Sequence, residues 1–83
     1  NDILFFETSS NIHKVILHAK DRQIEFSSTI KDIEKMLDDT FIRCHRSFLV
    51  NKNNIQEIDT KNRIIYFING ETCLMSTRMM KSF

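Results

Sequence analysis

Eighty-three residues suffice for one domain with a thin core, not for two, and so small a core weighs against a deep catalytic pocket. Apolar residues make up 41% and charged residues 28%, the balance of a soluble folded domain. The longest apolar runs (Ile3–Phe6, Phe48–Val50, Ile64–Ile68) are far too short to span a bilayer. A net charge of +1 by itself neither demands nor forbids a polyanionic partner.

In chain order, Ile3–Thr8 is rich in strand formers, and Asn11–Ala19 is a second such run centred on Val15, Ile16 and Leu17. Ser9, Ser10 and Asn11 between them are turn formers. Lys20-Asp21-Arg22 turns the chain into Gln23–Ser27, where Ile24 and Phe26 alternate with polar neighbours. Thr29–Leu37 reads as a helix: Thr29 to Asp32 fits a capping box, and Ile30, Ile33 and Leu37 recur at helical spacing with Met36 beside them. Asp38 and Asp39 oppose the helix dipole and should end it, leaving an acidic outer face that points away from any polyanion. Phe41–Cys44 is a short strand, His45-Arg46-Ser47 a polar interruption, and Phe48–Val50 a further apolar piece before the Asn51–Asn54 loop. Ile55–Asp59 and Arg63–Ile68 form a hairpin around Thr60-Lys61-Asn62, and Asn69-Gly70 predicts a type I′ turn into Glu71–Ser76. Arg78 to Phe83 begins a terminal helix. The sum, about seven short strands and one helix, predicts a mainly β domain: a meander or small paired antiparallel sheets with one helix packed at about residues 29–38.

Charge is unevenly spread. Glu25, Asp32, Glu34, Asp38 and Asp39 crowd one stretch, whereas Thr40 to Gln56 carries Arg43, Arg46, Lys52 and His45 with no acid, and the tail after Glu71 adds Arg78 and Lys81. Such segregation can present one basic face to phosphates, although any domain with 23 charges shows some clustering. Two cysteines, with neither a CxxC nor paired metal-ligand spacing, predict a reduced cytoplasmic setting and no metal site or cofactor. No signal-peptide pattern opens the chain and Asn1 is no natural start, so a piece of a longer protein is expected. Cys44 and Cys73 are a candidate redox pair, since Arg43 and Arg46 beside Cys44 favour its thiolate. A cysteine hydrolase is disfavoured because Cys44 and His45, adjacent on a strand, face opposite ways, and an enzyme is not expected. The alternative is a β-rich protein-interaction module, although the lack of Trp and the single Tyr66 give it no aromatic groove.

Asp2–Glu7 (DILFFE), the Ser-rich turn with His13, the run Phe41-Ile-Arg-Cys-His-Arg-Ser-Phe-Leu-Val-Asn51, Ile55–Asp59 and Ser76-x-Arg78 together resemble the LytTR family over nearly the whole chain. The resemblance implies short antiparallel sheets stacked along an elongated axis with one helix beside them. It also implies sequence-specific binding of double-stranded DNA by loops in successive major grooves. It makes His13, Arg46 and Arg78 base-reading residues, with Arg46 standing where relatives of this kind carry asparagine. An arginine fork matches guanine O6 and N7, and a histidine donates to or accepts from a purine N7. Ser10, Asn11, Lys14, Arg43, Ser47 and Lys81 are then phosphate contacts, and Met79 stands where the family pattern has a polar residue. By the same resemblance the chain is the effector domain, spanning 1–83, of a two-component, quorum-sensing type of response regulator. Its receiver domain lies elsewhere, its sites are paired direct repeats that align a second copy, and its effect on transcription is activating. Without the resemblance, His13 reads as a solvated loop histidine, Arg43 as half of a surface ion pair, His45 as a structural histidine, and Phe5, Phe6, Phe26, Phe41, Phe48 and Phe67 as core.

Overall fold

A computed structural model describes residues 2–78; Met79, Lys81 and the expected terminal helix to Phe83 lie outside the described residues. The strands are β1 (Ile3–Thr8), β2 (Lys14–Ala19), β3 (Gln23–Ser27), β4 (Phe41–His45), β5 (Phe48–Asn51), β6 (Ile55–Asp59), β7 (Ile64–Phe67) and β8 (Thr72–Leu74), with one helix, α1 (Ile30–Met36). Among the described residues eight strands thus stand where about seven were expected, all paired antiparallel in a five-stranded sheet of order β3-β2-β1-β5-β4 and a three-stranded sheet β6-β7-β8.

β1 is the middle strand and is buried on both faces, which is why Ile3–Phe6 reads as an unbroken apolar run. Phe5 faces the three-stranded sheet, in a cluster with Leu4, Cys44, Val50, Ile65, Phe67, Cys73 and Met75. Phe6 faces the other way, in a cluster with Val15, Leu49 and the helix residues Ile30 and Ile33. The molecule is therefore layered helix, five-stranded sheet, three-stranded sheet. The alternation of strand side chains shares Leu49 and Val50 of β5 between the two cores in the same way. The expected core phenylalanines all serve there, with Phe26, Phe41 and Phe48 at the margins.

The helix begins as its sequence dictates: Thr29 is extended and its hydroxyl accepts the Asp32 N–H at 3.1 Å. It ends at Met36, with Leu37 extended, and the Asp38 carboxylate accepts the Thr40 N–H at 2.9 Å, a bond that lowers the Asp38 pKa and starts the next turn. Met36 points to solvent, so the buried stripe is Ile30 and Ile33 with Leu37 at its edge. The predicted type I′ turn at Asn69-Gly70 is not formed. Gly70 has a positive φ of 93° but Asn69 does not, and the Gly70 N–H donates to Phe67 O while Phe67 N–H donates to Glu71 O. This is a three-residue loop with glycine in the left-handed position, the other common way to close a tight hairpin. The Asn51–Asn54 loop is a short 3-10 turn whose two buried end residues both donate their side-chain amides to Ile3 O at 2.8 Å, pinning the start of β1. Overall extents of 33 × 27 × 24 Å make the described molecule only mildly elongated.

Candidate nucleic-acid interface

The β1–β2 connection is held by its own polar residues. The Ser9 hydroxyl and the Asn11 amide both donate to the Glu25 carboxylate on β3, and these bonds, Ser9 first, hold the Glu25 carboxyl below its ordinary range. The Asn11 N–H donates to Ser9 Oγ, the Ser9 N–H to Lys14 O and the Ser28 N–H to His13 O. His13 takes a left-handed φ of 58°, which ends the turn and explains why β2 starts at Lys14 and not at Asn11. Ser10, Asn11, His13 and Lys14 are all exposed.

A second projection is the β4–β5 turn at Arg46-Ser47. The β4–β5 register slips between Arg43 and His45, leaving Cys44 unpaired at a bulge, a device that re-aims side chains at sheet ends. Arg43 braces this turn: its guanidinium donates to His45 O at 3.2 Å, to Arg46 O at 2.8 Å and to Glu34 of α1 at 3.2 Å. Its carboxylate partner is thus on the helix, and one of the helix acids is drawn to the basic segment instead of standing away from it. His45 accepts the Ser47 N–H at Nδ1 and packs edge-on against Phe48, a structural histidine. Arg46 is exposed and Ser47 half-buried.

The third segment follows β8, where the Met75 N–H donates to Arg63 O and the Ser76 N–H to Cys44 O at 2.8 Å, with Arg78 exposed two residues on. Backbone bonds lace the three segments together. Thr8 N–H donates to Ser47 O at 2.9 Å, tying the end of β1 to the Arg46 turn, and the Ser76 bond ties the Arg78 segment to the other side of that turn. His13, Arg46 and Arg78, up to 65 positions apart in sequence, are carried on loops at one end of the molecule, with the Arg46 turn in the middle.

Cys44 and Cys73 are buried, unbridged and adjacent, with the sulfurs 3.9 Å apart. The hydrogen bond to Cys44, and then burial, push the Cys73 thiol far above its ordinary range. Arg43, expected to activate Cys44, is engaged elsewhere: its guanidinium bonds His45 O, Arg46 O and Glu34, while Cys44 lies in the inter-sheet core and bonds Leu74 O at 3.4 Å. Cys44 and His45 do face apart, so they make no nucleophile–base pair, and no group of metal-binding side chains occurs among the described residues. No helix among the described residues is long and apolar enough to cross a membrane.

Three features escaped the sequence. Glu25 as the anchor of the β1–β2 loop and His18 as a buried hydrogen-bonded bridge both depend on contacts across the sheets, with no local signal. The Asn51 and Asn54 amides lie in a stretch whose pattern was visible, though their partner was not.

Among the described residues the chain is thus a mainly β domain with one packed helix and three polar loops tied together by backbone bonds. All 83 residues match the LytTr DNA-binding domain family, and the chain belongs to it. Over 81 residues, 98% of the chain, it is 49% identical to accessory gene regulator protein A of Staphylococcus epidermidis and 51% identical to that of Staphylococcus aureus. It spans 34% of the length of each, about a third. In three dimensions it is similar to a LytTr DNA-binding domain from Bacillus cereus, with a TM-score of 0.85, 30% identity, and coverage of 96% of this chain and 75% of that one.

Proposed function

We propose that this chain is the transcription-regulating effector domain of a response regulator. It reads double-stranded DNA with the His13 and Arg78 loops in successive major grooves and Arg46 between them. The observation that carries the reading is the backbone lacing of the three loops at one end of the fold. Preorganised loops lose little freedom on binding, and two of the three carry the planar fork that matches guanine. Ser10, Asn11, Lys14, Ser47 and, beyond the described residues, Lys81 are the phosphate contacts, and Arg43 supports phosphate binding by bracing the Arg46 turn. The setting is cytoplasmic and non-enzymatic. A receiver domain elsewhere in the protein governs activity within a two-component, quorum-sensing type of system. Two copies assemble on paired direct repeats and activate transcription.

The test is a fluorescence-anisotropy titration of the 83-residue chain against a duplex carrying a family-type direct repeat and a scrambled duplex, at several salt concentrations. Each phosphate neutralised contributes a slope of about −0.9 to log K against log salt, so affinity should fall steeply with salt and favour the repeat. Salt-insensitive or absent binding would leave the β-rich protein-interaction module as the better reading.

The cysteine pair is proposed as a slow oxidation-sensitive element of the same domain. Oxidation by hydrogen peroxide removes two protons and two electrons from the two thiols, forms one S–S bond and yields two waters. The sulfurs must close from 3.9 Å to about 2.05 Å, next to the bond that seats Ser76 on Cys44 O. Because Cys73 is held as a neutral thiol, labelling of the native chain with a thiol-disulfide reagent should be slow at neutral pH, accelerate as pH rises, and become fast for both cysteines in denaturant. Rapid labelling of the native chain at neutral pH would contradict the burial argument. Peroxide-treated chain that yields no Cys44–Cys73 peptide under non-reducing conditions would remove the pair from consideration.

A further inference from the structure

Ile12 stands 82% exposed in the β1–β2 turn, directly before His13. A β-branched residue is a poor choice for such a turn, where the preceding Ser9, Ser10 and Asn11 are the residues that make one. It is not needed to shape the loop. The Ser9 and Asn11 bonds to Glu25, the Ser9–Lys14 and Ser28–His13 backbone bonds and the left-handed His13 fix the conformation without any contribution from the Ile12 side chain. Nor does it belong to an apolar surface on its own loop, because Ser10, Asn11, His13 and Lys14 around it in sequence are polar and exposed. The other large exposed apolar residues, Met36, Ile68, Leu74 and Ile24, are on the helix, on the β7–β8 turn, on β8 and on β3. A protein partner needs a contiguous apolar patch, and the polar flanks of Ile12 do not supply one.

What remains is a single branched aliphatic side chain on a rigid loop, beside a base-reading imidazole and a phosphate-seeking ammonium. The major groove presents one apolar group on its floor, the 5-methyl of thymine. We infer that Ile12 is a specificity-determining residue that packs on a thymine methyl in the major groove entered by the His13 loop. The inference rests on the DNA-reading function proposed above and adds to it a base identity. His13 supplies the polar contact to a neighbouring purine edge, Lys14 holds the phosphate, and Ile12 selects thymine over cytosine by the methyl that cytosine lacks.

The experiment starts by enriching duplexes from a randomised pool with the 83-residue chain. Each thymine of the enriched duplex is then replaced in turn by deoxyuridine, which removes only the methyl. At one thymine the replacement should weaken binding about fourfold, the worth of one methyl-sized group removed from water. Ile12→Ser should bind the thymine and deoxyuridine duplexes equally at that position, whereas Ile12→Val should keep most of the discrimination. Because Ile12 is exposed, both variants should unfold at the wild-type midpoint, so a changed preference reports contact with DNA and not loss of fold. Enrichment of a defined sequence in which no thymine methyl matters, or in which Ile12→Ser discriminates as well as wild type, overturns the inference and leaves the DNA-reading function standing. Failure to enrich any sequence overturns both.

Discussion

Replacing His18 with alanine is expected to lower the unfolding free energy by about 3 kcal/mol in a urea titration, a large share of what a domain of this size has. His18 is buried on β2, and its ring stacks on Phe5 with centroids 4.1 Å apart and planes 14° from parallel. Nε2 lies 2.7 Å from a Glu7 carboxylate oxygen on β1, and Nδ1 lies 2.8 Å from a Glu71 oxygen at the β7–β8 turn. One ring bond to a carboxylate, of a kind that contributes about 1.5–3 kcal/mol, and the ring stack, about 0.5–1.5 kcal/mol, together give about 2–4.5 kcal/mol. The glutamate side chains keep 34% and 28% of their exposure, so water recovers part of the loss, which argues for the lower half of the summed range. The bridge also joins the two sheets, because Glu71 additionally accepts from Asn69 at 2.8 Å and belongs to the three-stranded layer. Glu71→Gln keeps a neutral acceptor for the ring and should cost about 1 kcal/mol. A loss under about 1 kcal/mol for His18→Ala would mean the triad carries no net stabilisation, as happens when desolvation cancels the pairing.

That bridge marks the boundary of what the amino-acid order displays. Ile3–Thr8 and Gln23–Ser27 were legible to the residue, and the helix to its cap, because period and capping are decided within a few neighbours. The Asn69-Gly70 turn was legible as a turn and not as a type, since φ at Asn69 answers to the register that Phe67 and Glu71 adopt. Met36 fell on the apolar side of the helical spacing yet points outward, because a seven-residue helix crossing one sheet face buries a narrow stripe. His18 and Glu71 are 53 residues apart, and Cys44 and Cys73 are 29 apart; only the stacking of one sheet on the other makes them neighbours. The candidate site is an extreme case of the same dependence. Its three loops have no sequence proximity and no shared periodicity, so only the family resemblance singled out His13, Arg46 and Arg78, and the bonds at Ser47 and Ser76 that bring their loops together depend on the folded sheets.

Arg78→Ala is expected to remove about 1–3 kcal/mol of the preference for a specific duplex over a scrambled one, roughly a 5- to 150-fold loss of discrimination. The size follows from the planar fork, which donates two parallel bonds to guanine O6 and N7 where a point charge donates one at a time. Its support is the seating of the Arg78 segment, two residues beyond the Ser76 bond to Cys44 O, on the same turn that carries Arg46. Loss of a phosphate contact would look different, weakening both duplexes alike and reducing the salt slope by about one. Arg78→Lys separates the two roles, because it keeps the charge and discards the fork. If Arg78 reads a base, the lysine variant should retain the wild-type salt slope and weak binding to the scrambled duplex while losing most of the discrimination. Should lysine restore full discrimination, Arg78 acts as a charge, and sequence reading at this end of the fold would have to rest on His13 and Arg46.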